Sequence, residues 1–265
     1  MRKDETRKMN AAPVGFFDSG YGGLCIHEAF KKVCPRESTV YIADSANCPY
    51  GNRPPETIRQ LSERNTRRLI GDFGCKMVVV ACNTATAAAI DYLRETFAPV
   101  PFIGLEPAVK PAALKSKTGI VGVLATAGTF GGRLYRETKG KFAKDVTVLA
   151  TVADEFVVEV ERLRGRRVED LPADEYERVE GIVRKKIEPL IAAGADKIVL
   201  GCTHFPHLRP VIEKVASGKA DVVEPSEAVA KQAARVLAKL GLEAPEGAAA
   251  KHIFISTKND KETKR

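Results

Sequence analysis

The fold is decided by two apolar runs, Met77-Val78-Val79-Val80-Ala81 and Ile198-Val199-Leu200-Gly201, and each run ends at a cysteine. Short, continuous runs rich in valine and isoleucine are typical of strands buried on both faces of a parallel sheet. Cys82 and Cys202 therefore lie at the predicted carboxyl ends of two buried strands. Because open α/β sheets bind ligands at that edge, both cysteines are candidate functional residues.

Short apolar runs alternate with helical patterns along almost the whole chain, which predicts βαβ units and parallel sheets. Apart from the two cysteine runs, the predicted strands are Val14–Phe17, Thr39–Ile42, Val100–Ile103, Ile120–Leu124, Thr147–Thr151, Asp221–Val223 and His252–Ser256. The predicted helices are Leu24–Val33, Glu56–Phe73, Thr86–Thr96, Arg133–Phe142, Glu175–Ala193, Pro210–Val215 and Glu227–Leu240.

The chain also contains a diverged repeat. The segment Val14-Gly15-Phe16-Phe17-Asp18-Ser19 resembles Val121-Gly122-Val123-Leu124-Ala125-Thr126, and each copy reaches its cysteine after a comparable interval. We therefore expect two similar open-sheet α/β domains, related by a pseudo-twofold axis and facing each other across an active-site cleft. The predicted boundaries are a flexible extension at 1–12, a first domain at 13–106 plus 224–265, and a second domain at 107–223.

Composition indicates an ordinary globular protein. The chain has 265 residues, of which 44% are hydrophobic and 29% charged, close to the averages for soluble domains. No apolar run is long enough to cross a bilayer, and the charged amino terminus does not resemble a secretory signal. Six cysteines without a Cys-x-x-Cys pair are typical of reduced thiols, which predicts a cytoplasmic protein.

The formal net charge of +8 favours anionic partners in general. Part of the excess lies in the polar ends and in Arg164-Gly165-Arg166-Arg167, without interleaved aromatic residues for base stacking. A solvated basic surface is therefore favoured over a nucleic-acid site. A catalytically silent protein that binds an acidic partner through this surface stays an open alternative.

Two cysteines in matching positions are what a racemase needs. Inverting a stereocentre that bears hydrogen requires proton removal from one face and proton delivery to the other. Two thiols can do this if one is a thiolate while the other is protonated. Cys82 lies where a strand gives way to a helix, and a helix amino terminus stabilises a thiolate. A zinc site using Cys202 and His204 is disfavoured, because no further ligands stand at a recognisable spacing.

Four motifs in order carry a family resemblance: Gly15-Phe16-Phe17-Asp18-Ser19-Gly20-Tyr21-Gly22-Gly23-Leu24, Pro49-Tyr50-Gly51, Ala81-Cys82-Asn83-Thr84-Ala85-Thr86 and Leu200-Gly201-Cys202-Thr203-His204-Phe205-Pro206. Together they resemble the glutamate racemases of the aspartate/glutamate racemase superfamily. The later segment Glu224-Pro225-Ser226-Glu227-Ala228-Val229-Ala230 is similar to that family's late motif.

The resemblance implies cofactor-independent interconversion of L- and D-glutamate, which supplies D-glutamate for peptidoglycan and so for cell shape. It implies a homodimer, no metal and no membrane contact. Cys82 would serve D-glutamate with Asp18 assisting, and Cys202 would serve L-glutamate beside His204. Glu159 is matched to an assisting glutamate, in a segment that departs from the family pattern. The implied substrate-binding residues are Asp18, Ser19, Tyr50, Gly51, Asn83, Thr84, Thr203 and His204.

Two alternatives stay open within this interpretation. One is a racemase of the aspartate type from the same superfamily, although the Asp18-Ser19-Gly20 and Pro49-Tyr50-Gly51 motifs favour glutamate. The other is a second, binding role. Some members of the family are associated with inhibition of DNA gyrase, but nothing in this sequence specifically supports an interaction with gyrase or nucleic acid.

Overall fold

A computed structural model describes residues 10–142, 146–163 and 165–258. They form two compact units: the first runs to Leu105 and resumes at Ser226, and the second is Glu106–Pro225. The predicted domain changes lay at 106/107 and 223/224, one and two residues from these positions. Residues 1–9 of the predicted flexible extension lie outside the described residues.

The elements alternate strand and helix along the chain. The strands are β1 Val14–Asp18, β2 Thr39–Ala43, β3 Met77–Val80, β4 Phe102–Ile103, β5 Ile120–Ala125, β6 Thr147–Val152, β7 Lys197–Leu200, β8 Asp221–Val223 and β9 His252–Ser256. The α-helices are α1 Leu24–Val33, α2 Pro55–Arg67, α3 Asn83–Thr96, α4 Val109–Lys115, α5 Ala127–Phe130, α6 Arg133–Phe142, α7 Asp154–Leu163, α8 Ala173–Ala192, α9 Arg209–Ala216 and α10 Ser226–Leu240.

The first unit is built on a five-stranded sheet in the order β4-β3-β1-β2-β9, with every neighbouring pair parallel. Its central strands β1, β2 and β3 are buried along their whole length. Helices α1 and α10 pack against each other, and their apolar side chains join those of β1 and β3 in one core. Burial on both faces explains why these strands are continuous apolar runs rather than alternating ones.

The second unit is built on a four-stranded parallel sheet in the order β6-β5-β7-β8. Strand β7 is fully buried, and β5 is buried except at its first residue. The side chains of Val121, Val123 and Val199 pack with Val109 and Ala112 of helix α4. The prediction of two α/β domains with open parallel sheets is therefore confirmed.

The two sheets repeat the same register. Gly15 of β1 pairs with Val78 of β3, and Gly122 of β5 pairs with Ile198 of β7. Cys82 and Cys202 each come four residues after the β3 or β7 partner of that glycine. The weak sequence repeat therefore marks structurally equivalent strands, and it places the two cysteines at equivalent positions.

Several predicted elements differ from the observed ones. The helix predicted at Glu56–Phe73 is α-helical to Arg67 and continues as a π-helical turn at Arg68–Asp72. Strand β4 is shorter than predicted, because Pro101 has no N–H to donate to a neighbouring strand. Helices α4, α5 and α7 were not predicted.

The described residues contain no helix that combines the length and the apolar character needed to cross a bilayer.

Candidate active site

Cys82 caps the amino terminus of helix α3. Its backbone is extended, with φ −141°, and the Ala85 N–H donates a hydrogen bond to its Sγ atom at 3.4 Å. Only 4% of the residue is exposed. The N–H groups of a first helical turn carry partial positive charge, so this position favours the thiolate over the neutral thiol.

Ser19 and Asp18 lie on the other side of the Cys82 sulfur. Asp18 ends β1, and its Oδ2 atom accepts a hydrogen bond from the Gly23 N–H at 2.8 Å. The Ser19 hydroxyl donates to Asp18 Oδ1 at 3.4 Å, and the Cys82 thiol lies 3.9 Å from Ser19 Oγ. Both contacts are long, as catalytic hydrogen bonds often are before substrate binds. The arrangement links the thiol to a buried carboxylate through one hydroxyl.

Gly23 allows the β1–α1 loop to lie against the end of β3. A Cβ atom at this position would come within 2.7 Å of both the Ala81 carbonyl oxygen and the Tyr41 hydroxyl. No side chain fits there, because the Ala81 carbonyl oxygen belongs to the backbone and cannot move aside like a flexible side chain. The glycine thus keeps the Asp18-bearing loop close to the segment that carries Cys82.

Asn83 follows Cys82 in the first turn of α3 and is 3% exposed. Its side-chain Nδ2 and Oδ1 atoms are both buried and have no hydrogen-bond partner among the described residues. Leaving both atoms unpaired costs roughly 1–3 kcal/mol each, so such a group in a folded protein points to a missing partner. The next residue, Thr84, is also buried, at 4% exposed.

Tyr50 is 1% exposed, and its hydroxyl donates to Asp44 Oδ2 at 2.6 Å. Burial, the charge of Asp44 and this hydrogen bond raise the pKa of Tyr50 far above its usual range. Burial alone would raise the pKa of Asp44, but hydrogen bonds from Tyr50, Asn47 and Thr257 hold it below its usual value. The adjacent Gly51 is half-buried.

Cys202 has different neighbours from Cys82. It is 7% exposed, and its Sγ atom lies 3.8 Å from Nδ1 of His204. The other ring nitrogen, Nε2, lies 2.7 Å from Oε1 of Glu161. An ionised carboxylate only accepts hydrogen bonds, so this contact assigns a proton to Nε2 and turns Nδ1 toward the sulfur. A neutral imidazole in this orientation can accept the thiol proton, and an imidazolium can stabilise the thiolate.

The carboxylate at His204 comes from α7, which also packs onto the segment after Cys202. The Phe156 ring of α7 meets the Phe205 ring edge-on, with centroids 5.2 Å apart. Such a contact contributes about 0.5–1.5 kcal/mol beyond its buried area. It fixes α7 beside His204, and Glu161 lies on the same helix.

Glu159, the glutamate expected to assist catalysis, does not contact His204. Its carboxylate is 6% exposed and pairs with Arg162 of the same helix, at 3.1 Å, and with Arg178 of α8. Glu159 and Glu161 are two positions apart, so a helix directs the two side chains to nearly opposite sides. The structure brings Glu161, not Glu159, to the imidazole.

Further small and polar residues follow strands β5 and β7 of the second unit. Thr203, next to Cys202, is 3% exposed. The Thr126 and Thr129 hydroxyls lie 2.9 Å apart and hydrogen-bond each other at the end of β5. A Cβ atom at Gly201 would come within 2.8 Å of the Leu124 carbonyl oxygen, so only glycine allows this approach to β5.

Comparisons with known proteins agree with this geometry. The profile of the Asp/Glu/hydantoin racemase family matches residues 24–233. Over 240 residues, the chain is 42% identical to the glutamate racemase of Herpetosiphon aurantiacus, covering 90% of this chain and 89% of the relative.

Two solved structures have the same fold over almost the whole chain. Escherichia coli glutamate racemase, in complex with L-glutamate and the activator UDP-MurNAc-ala, has a TM-score of 0.79 at 28% identity, covering 95% of this chain and 91% of that one. Francisella tularensis glutamate racemase, in complex with D-glutamate, has a TM-score of 0.79 at 25% identity, covering 96% and 91%. The family match and the identity to its relatives show that this chain belongs to the Asp/Glu/hydantoin racemase family.

Proposed function

We propose that this protein interconverts L- and D-glutamate without a cofactor, using Cys82 and Cys202 as its two acid–base groups. The observation that carries this proposal is the equivalent register of the two cysteines, each buried after a central strand. Each sulfur also has a polar contact, with the first turn of α3 at Cys82 and with His204 at Cys202. The proposal is also supported by relatives named glutamate racemase and by solved relatives that bind L- or D-glutamate.

The reaction needs one thiolate and one thiol on opposite faces of the substrate. The thiolate removes the α-proton and becomes a thiol, and the electron pair left on the α-carbon is stabilised by the carboxylate group. The second thiol then delivers its proton to the opposite face and becomes a thiolate. Atoms and charge balance within the site, and proton exchange with water restores the starting state. Cys82 acts on D-glutamate and Cys202 on L-glutamate.

The α-proton of an amino acid is a very weak acid, so the site must stabilise the developing negative charge. Asn83 is suited to this because its unpartnered amide offers two N–H donors and one carbonyl acceptor, matching a carboxylate and an ammonium group. A single preorganised donor of this kind can contribute roughly 3 kcal/mol. Further substrate contacts come from Asp18, Ser19, Tyr50, Gly51, Thr84, Thr203 and His204.

Circular dichroism of the purified protein with L-glutamate, D-glutamate and L-aspartate tests the proposal. We expect the signals of both glutamate enantiomers to decay to zero, because the enantiomers have equal free energies in water. L-aspartate should be inverted far more slowly. If only aspartate were inverted, the substrate would be aspartate and not glutamate. If neither amino acid were inverted, the protein would have a binding role instead of this activity.

In the cell, the product D-glutamate serves peptidoglycan synthesis, and we place the enzyme in the cytoplasm as a homodimer. The six cysteines are free of disulfides, as a reducing compartment favours. Light scattering of the purified protein tests the dimer, because a monomer has a mass of 28.8 kDa. A mass near that value at micromolar concentration would contradict the homodimer.

A further inference from the structure

Thr257 follows the last strand, β9, and lies outside the segment that matches the family profile. Its backbone N–H donates to the Ala43 carbonyl oxygen at 2.9 Å. Its hydroxyl donates to Asp44 Oδ1 at 2.8 Å and accepts a hydrogen bond from the Ala46 N–H at 3.0 Å. One side chain near the end of the chain therefore holds both sides of the turn that follows β2.

Asp44 gathers donors from three other parts of the first unit. Its side chain is 0% exposed and accepts hydrogen bonds from the Tyr50 hydroxyl at 2.6 Å and from Asn47 Nδ2 at 2.9 Å. Arg64 of α2 contacts both carboxylate oxygens, at 3.1 and 3.2 Å. A buried charge is stable only with such a full set of partners. Removing one donor therefore disturbs the whole group.

This network uses the Tyr50 hydroxyl internally. The hydroxyl donates to Asp44 and accepts from Asn65 Nδ2 at 3.3 Å. Arg53 adds a second restraint, because its Nε atom donates to the Asn47 and Pro49 carbonyl oxygens at 2.9 and 3.2 Å. The loop can therefore offer its backbone to a ligand while its aromatic side chain acts as an anchor.

We propose that Thr257 and Asp44 are positioning residues, which set the backbone of Pro49-Tyr50-Gly51 for substrate through the Tyr50 hydroxyl. This inference rests on the proposed function, in which that loop contacts glutamate. It makes the carboxyl-terminal strand, which the family profile does not cover, a part of the substrate site. A loosened loop must be ordered on binding, so the loss falls on substrate affinity rather than on proton transfer.

Thr257→Val tests the inference, because it keeps the shape of the side chain and removes only the hydroxyl. We expect KM for both glutamate enantiomers to rise by about fivefold to tenfold with kcat changed less than about twofold. Thr257→Ser, which keeps the hydroxyl, should restore KM. Ser256→Ala is the matched control, since within the described residues Ser256 Oγ hydrogen-bonds only the Lys258 backbone, and its KM should equal that of wild type.

A double-mutant cycle separates positioning from general loss of stability. Tyr50→Phe and Thr257→Val should each raise KM, and the double variant should be little worse than the worse single variant, because both act through Asp44. Additive effects of the two substitutions on KM, or an unchanged KM in Thr257→Val, would overturn the inference. The proposed function would still stand if the wild-type protein racemises glutamate. Absence of racemisation in wild type would overturn the proposed function, and the inference with it.

Discussion

Cys82 and Cys202 occupy the same place in two copies of one scaffold, yet their sulfur atoms are served by different chemistry. The β1–β3 register aligns with the β5–β7 register, so Asn83 corresponds to Thr203 and Thr84 corresponds to His204. The Cys82 sulfur accepts a hydrogen bond from the first turn of a helix. The Cys202 sulfur lies beside an imidazole that also contacts a carboxylate.

The same alignment shows that the carboxylate near each cysteine comes from a different position in each unit. Asp18, which the Ser19 hydroxyl links to the Cys82 sulfur, corresponds to Ala125 at the end of β5. In the second unit the carboxylate in contact with His204 is that of Glu161, from helix α7. The duplicated strands thus fix where the thiols lie, while the segments after the strands supply the different groups that contact each thiol.

Replacing each cysteine by serine should have the largest effect, and it should separate proton exchange from L-glutamate and proton exchange from D-glutamate. We expect racemisation to fall by at least about 10³-fold in Cys82→Ser and in Cys202→Ser, because an acid–base group is lost. In deuterium oxide, Cys82→Ser should still exchange the α-proton of L-glutamate but not that of D-glutamate. Cys202→Ser should show the opposite pattern, measured by proton NMR.

Proton exchange is the informative measurement because racemisation rates cannot separate the roles of the two cysteines. The enantiomers have equal free energies in water, so kcat/KM must be equal in the two directions for every variant. Survival of racemisation in either serine variant would refute the two-base mechanism. Exchange of the same enantiomer in both variants would refute the assignment of the thiols to opposite faces.

Variants of the imidazole and its carboxylate should sharpen the comparison with a smaller effect. His204→Asn should lower α-proton exchange from L-glutamate by about 100-fold and leave exchange from D-glutamate nearly unchanged. Glu161→Gln should cost about tenfold, since a neutral hydrogen bond to Nε2 replaces a charge-assisted one. Both are measured in the same deuterium exchange assay.

Glu159→Gln is the matched comparison, because it makes the same chemical change two residues away. Its carboxylate contacts Arg162 and Arg178 rather than the imidazole, so exchange should change much less than in Glu161→Gln. An equal or larger loss in Glu159→Gln would assign the assisting role to Glu159 after all and would contradict the His204–Glu161 pair.

Much of this fold could be predicted from the sequence, because its parallel strands are buried and therefore form continuous apolar runs. Strands β8 and β9 and helices α1 and α6 have the bounds expected from the sequence, because apolar periodicity is a local property. The repeat was also visible, as Val-Gly followed by apolar residues in both copies. The equivalent register in the two sheets gives that short match its structural meaning.

The carboxylate that contacts His204 in the second unit could not be predicted from the sequence pattern. Glu161 contacts a residue 43 positions later in the chain, and sequence spacing does not encode such a contact. Helix α7 was missed although its buried residues Phe156, Val157, Val160 and Leu163 have helical spacing. That spacing places both glutamates at the edges of the apolar face, and Glu159 is itself buried, so it does not single out Glu161.

The smallest expected effect concerns His27, a histidine of the first unit that is not among the proposed acid–base groups. Its Nε2 atom lies 2.7 Å from the Thr39 hydroxyl, and its ring packs edge-on against Phe16 and Tyr41. Burial, with the nearby charge of Lys31, lowers its pKa from 6.5 to about 4. Racemisation should therefore be unaffected by His27→Phe, which keeps the aromatic packing.

The stability of that variant should respond to pH differently from that of wild type. The unfolded chain binds a proton at His27 below about pH 6.5, whereas the folded chain resists it down to about pH 4. Stability from the neutral imidazole is therefore complete above pH 6.5 and is lost as the pH falls from 6.5 to 4. Wild type should lose about 2 kcal/mol more than His27→Phe between pH 7 and 4.5 in urea unfolding. Equal losses would mean that the pKa of His27 is the same in the folded and unfolded chains, which would contradict the lowered value.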